Sequence, residues 1–62
     1  MSIVNYYMVA TIKLARSRGY KCHVISQYFG INQGRISDVT KGRIGATVPM
    51  ATELPWDFPK LK

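Results

Sequence analysis

Side chains able to make or break bonds are scarce in this 62-residue chain: one cysteine, one histidine and three carboxylates. Cys22 and His23 are adjacent, and adjacent residues on a helix do not face each other, so His23 is not placed to deprotonate the thiol. A zinc site needs three or four ligands, more than one Cys and one His supply. Asp38, Glu53 and Asp57 make no credible acid/base pair. No catalytic residue, no metal site and no cofactor is expected, and an enzyme is the least expected class. What remains is hydrogen-bonding chemistry, and it is concentrated in residues 32–43.

In that stretch Ile36 and Val39, three apart, form the inward side of a short helix. Gln33, Gly34, Ser37, Asp38 and Lys41 project from the other side, as short or hydrogen-bonding groups with little bulk to keep the helix out of a groove. Gln can pair with adenine through N6 and N7, Ser can bond most base edges, and a carboxylate can accept from cytosine N4. Gly34 costs roughly 1 kcal/mol against Ala inside a helix, and its missing side chain permits close backbone approach. Asp38 is unfavourable beside phosphate, but it can pair with Arg35 or Lys41. Arg35, Lys41 and Arg43 flank the face and suit phosphate contacts, which hold register without reading sequence.

The elements that must position this face are legible around it. Ile25 and Phe29, four apart, share one side of a preceding helix, with small Ser26 on the neighbouring line where a second helix can approach. Gly30 allows the left-handed backbone that ends a helix and reverses the chain. Ile31 plugs the turn, and Asn32 is a good N-cap for the next helix. Two short helices, a Gly-centred turn and the seam of Ile25, Phe29, Ile31, Ile36 and Val39 define a helix-turn-helix over about residues 22–42. Upstream, residues 3–18 lack Gly and Pro. Ile12 and Ala15, with Met8 and Leu14 beside them, predict an amphipathic helix stopped at Gly19, with Lys13, Arg16 and Ser17 on another side.

All three prolines, Pro49, Pro55 and Pro59, come after Gly45. Each removes a backbone donor and restricts the residue before it, so an extended tail is predicted there. Val48, Leu54, Trp56 and Phe58 make it too apolar for a solvated linker. A chain this short buries only about 60% of the surface its unfolded form exposes. Folding of Trp56 and Phe58 back onto the helices is therefore favoured over reaching a second subunit. Tyr6 and Tyr7 pose the same choice at the other end, between packing on the motif and forming a dimer surface.

Net charge is +6, and the whole excess lies before residue 46. No acid precedes Asp38, whereas Lys13, Arg16, Arg18, Lys21 and Arg35 do. A domain this basic attracts polyanions, nucleic acid being the usual one. The stretch 3–10 lacks a preceding basic region and a cleavage site, and it is too short and too interrupted to span a bilayer. A single Cys forms no internal disulfide. A cytoplasmic protein without membrane association is expected.

The run from Gly30, Ile31, Asn32 and Gln33 through Ile36, Ser37 and Val39 resembles the helix-turn-helix of the phage Cro and repressor family and of homeodomain-like recombinase modules. With Lys41, Gly42 and Arg43 added, it also resembles short bacterial regulators of mobile elements. The likeness covers about residues 11–43. It implies that Gln33, Gly34, Ser37 and Asp38 face bases, while Asn32, Arg35, Lys41 and Arg43 face the DNA backbone; Lys21 is a further candidate for phosphate contact. Ser26 stands where the family usually has Ala, and Lys21 and Cys22 stand where a better capping residue often starts that helix.

The expectation is an all-α fold: a compact domain of three to four helices over residues 1–45 containing the helix-turn-helix, then a Pro-containing extended tail over 46–62. The expected function is sequence-specific binding of double-stranded DNA by a small transcriptional regulator of bacterial, phage or mobile-element origin. One recognition helix contacts few base pairs, so a homodimer, at least on DNA, is expected; no small-molecule ligand is. Two alternatives stand beside this. One is a protein-interaction module, antiactivator-like or antitoxin-like, that uses the same fold to bind another regulator. The other is a recombination directionality factor.

Overall fold

A computed structural model describes residues 5–61. Three helices run in the order α1 (Tyr6–Ser17), α2 (Cys22–Phe29) and α3 (Gln33–Thr40), and no strand occurs among the described residues. The fold is all-helical, and each helix packs on the other two. Residues 3 and 4, included in the predicted first helix, lie outside the described residues, as does Lys62.

Each boundary has a local cause. The Asn5 side chain accepts from the Met8 backbone N–H at 2.9 Å, satisfying one of the orphan donors that open α1. At the other end the chain leaves the helix at Arg18 and Gly19. Helix α2 has no side-chain cap, because Lys21 occupies its N-cap position with no acceptor to offer. It ends at Gly30, whose backbone is left-handed at φ 69°, and the Ile31 N–H turns back to the Ser26 carbonyl. Asn32 then caps α3 by accepting from the Gly34 N–H at 2.6 Å.

The core is built by Val9, Ile12 and Ala15 of α1, Ile25 of α2, and Ile36 and Val39 of α3, joined by Tyr20, Val48 and Phe58. Thr11, a polar interruption in the sequence pattern, is also buried. Phe29 and Ile31 pack against this cluster from its edge and stay partly exposed. Ser26 is buried, as a close helix contact requires, and its hydroxyl donates to the His23 carbonyl of its own helix.

Beyond α3 the described residues form no regular element, yet they are not a straight arm. The chain turns at residues 46–47 and 56–57 and returns to the helices, the Ala51 N–H bonding the Ala10 carbonyl at 3.1 Å. Val48 and Phe58 share one core with the helices. At Gly45 the backbone is left-handed, and a Cβ there would stand 2.7 Å from Val9 Cγ1. Only glycine lets the chain pass that close to α1.

The aromatic residues of the tail divide. Phe58 is 6% exposed, while Trp56, two residues earlier, is 96% exposed. The Phe58 ring packs on Tyr20 at 5.1 Å between centroids and on Tyr28 at 4.6 Å, with Phe29 beyond. The Tyr20 hydroxyl donates to the Pro59 carbonyl at 2.6 Å. Folding back thus holds for Phe58 and not for Trp56. Tyr6 and Tyr7 are likewise largely exposed.

Tyr28 fastens the same corner by donating to the Asp57 carboxylate at 2.6 Å. That hydrogen bond, seconded by partial desolvation and by the charge of Asp57, pushes the phenol pKa up to about 12. Because the folded value lies above the ordinary value of about 10, the contact stabilises the fold fully below that value. Its contribution is lost as pH rises through about 12. Ultraviolet titration of the phenolates should therefore show one late-ionising tyrosine. Asp57→Asn should return it toward the ordinary range, and Tyr28→Phe should remove it; a late component surviving in Tyr28→Phe contradicts the assignment.

Candidate nucleic-acid interface

Burial of Ile36 and Val39 fixes which side of α3 faces outward. Asn32, Gln33, Gly34 and Arg35 are exposed at its start, Ser37 and Asp38 half-buried in its middle, and Lys41 and Arg43 exposed after its end. The four residues expected to face bases, Gln33, Gly34, Ser37 and Asp38, thus all reach solvent, and Asn32, Gly34, Arg35 and Asp38 line one open concavity of about 350 Å³. Gly34 has a local reason as well: a Cβ there would sit 3.1 Å from Asn32 Oδ1, crowding the cap.

Asp38 is the centre of charge on this face. Its Oδ1 accepts from Arg43 Nη1 at 3.3 Å, and its Oδ2 lies 3.9 Å from Arg35 Nη1. The chain leaving α3 makes the first contact, since the Arg43 and Ile44 N–H groups turn back onto the Asp38 carbonyl and carry the Arg43 side chain beside the carboxylate. The sequence allowed Arg35 or Lys41 as partners. Arg35 is one of them, but Arg43 takes the place considered for Lys41.

Two of the residues expected at phosphates lie apart from that concavity. Lys41 lines a cleft between α1 and the end of α3, together with Lys13, Arg16 and Met50. Lys21 lines a groove with Val24, Pro59 and Lys60 on the side where the tail docks. Among the described residues neither depression is lined by a carboxylate.

Sequence reasoning missed what Lys13 and Arg16 do. Both counted toward the basic excess, yet Lys13 Nζ donates to the Gly45 and Val48 carbonyls at 2.8 and 2.5 Å, and Arg16 Nη1 donates to the Tyr20 carbonyl at 2.6 Å. They hold turns in place and leave less freedom for an external anion. No sequence signal marks this, because the acceptors are backbone carbonyls that every residue carries. Tyr20 and Tyr28 were missed for a related reason, since their partners lie 38 and 30 residues away in the chain, at Phe58.

Comparison with protein-family models, curated proteins and solved structures gave no match. The functional reading therefore rests on the chemistry of the α3 face and on the charge of the chain. No helix among the described residues is long and apolar enough to cross a membrane.

Proposed function

We propose that this protein is a sequence-specific double-stranded DNA-binding regulator, with α2, the turn at residues 30–32 and α3 acting as a helix-turn-helix. The observation that carries the proposal is the outward face of α3. It combines hydrogen-bonding groups of low bulk, from Gln33 to Asp38, with a cation at Arg35 and no large apolar side chain, and Lys41 and Arg43 follow just beyond the helix end. In this reading α3 enters the major groove, Gln33 and Ser37 meet base edges, and Gly34 lets the backbone approach. Asn32, Lys21, Lys41 and Arg43 hold the phosphates. The net charge of +6 supplies the long-range attraction.

The protein acts in this reading as a homodimer on DNA, since one eight-residue helix spans few base pairs. Hydroxyl-radical footprinting on duplexes enriched for binding tests this. Two protected patches on one face of the duplex, about 10 base pairs apart, are expected. A single patch contradicts the dimer, and no protection contradicts DNA binding.

One observation favours a second reading, a module that binds another protein. Trp56 is almost wholly exposed, and Tyr6 and Tyr7 are also largely uncovered. Exposed aromatics of this size are enriched at protein interfaces. The two readings separate by salt, because binding through phosphates weakens steeply as salt rises whereas an apolar interface does not.

A further inference from the structure

We propose that Arg35 and Asp38 together read one G·C base pair, so that Arg35 is a base-contacting residue. The inference rests on the double-stranded DNA reading above and names what part of the α3 face recognises. Asp38 Oδ2 and Arg35 Nη1 stand 3.9 Å apart, and both residues line the open concavity beside Gly34. At 3.9 Å the two form an ion pair without a hydrogen bond, so the Arg35 N–H donors are free to meet acceptors on a base edge, whereas one donor of Arg43 is engaged on Oδ1.

The pair suits a base edge. In the major groove a G·C pair presents two acceptors, guanine N7 and O6, followed by one donor, cytosine N4. Arg35 offers donors and Asp38 an acceptor on neighbouring positions of one surface, which is the complement of that order. An A·T pair presents acceptor, donor, acceptor and a methyl group, so Arg35 would there meet a donor and Asp38 an acceptor. The opposite arm of the carboxylate is already occupied, since Oδ1 accepts from Arg43. That contact leaves Oδ2 on the Arg35 side, so Arg43 is a positioning residue for the reader as well as a cation at the edge of the face. An exposed ion pair of this kind adds little stability, which leaves recognition as the reason for a lone acid among the cations of this surface.

The test measures binding to the preferred duplex and to versions with each base pair replaced in turn, using the wild-type protein, Arg35→Ala and Asp38→Asn. Circular dichroism checks that each variant keeps its helices. The expected result is one position at which the wild type prefers G·C roughly 5- to 150-fold. Both variants should lose that preference while keeping selectivity elsewhere. If the duplex is read at other positions but neither variant changes any G·C preference, this inference is overturned and the DNA-binding reading stands. If no position is read by the wild type, both fall.

Discussion

Replacing Phe58 by Ala is expected to unfold a large fraction of the molecules at room temperature. Removing a buried Phe side chain costs about 3–5 kcal/mol, and a core in a domain this small rarely supplies more than about 3–5 kcal/mol in total. The residue is 6% exposed and is the ring against which Tyr20, Tyr28 and Phe29 assemble, so its loss opens the corner between α2 and the tail. The neighbouring Trp56→Ala provides the contrast. Its side chain is 96% exposed, and a surface substitution of that kind shifts stability by no more than about 0.5 kcal/mol. Urea denaturation followed by circular dichroism compares the two directly. Equal midpoints for Phe58→Ala and Trp56→Ala contradict the placement of the tail in the core.

The second large effect is on binding. With Lys21, Lys41 and Arg43 at phosphates in each subunit, a dimer neutralises about six phosphates, and affinity falls with a logarithmic salt slope of about −0.9 for each. Raising salt about fourfold should then weaken binding on the order of 10³-fold. Lys41→Ala and Arg43→Ala should each reduce the slope by about two, because each substitution frees one phosphate per subunit. Arg35→Ala should leave the slope nearly unchanged and alter base preference instead, since in the inference above its guanidinium meets a base edge and not a phosphate. Fluorescence anisotropy with one duplex over a range of salt concentrations reads the three slopes, and a second duplex altered at one base pair reads the preference. A flat salt dependence of the wild type contradicts a phosphate-dominated interface and moves the weight to the protein-binding reading.

The helices were legible in the sequence because their signals are local. Gly30 and Asn32, two residues apart, end one helix and start the next, and both do so through interactions within five residues. The Ile36 and Val39 spacing likewise announced which side of α3 is buried. What was not legible is non-local. Whether Trp56 or Phe58 enters the core depends on which ring the turn at 56–57 directs inward, and apolar content alone does not separate them. The tie between Lys13 and the carbonyls of Gly45 and Val48 spans more than thirty residues and involves no paired side-chain chemistry. On the candidate site, the sequence supplied the residue types but not their grouping. Asp38 pairs with Arg43 because the chain folds back after Thr40, a feature that neither periodicity nor charge pattern encodes.

The central claim is that α3 reads a DNA sequence, and selection from a random duplex pool at roughly physiological salt tests it most directly, with Gln33→Ala selected in parallel. A short symmetric consensus is predicted for the wild type, with half-sites about one helical turn apart. Gln33→Ala is predicted to lose preference, roughly 5- to 150-fold, at one position per half-site. Recovery of sequences without a consensus, or of the same consensus at undiminished preference by Gln33→Ala, contradicts the claim.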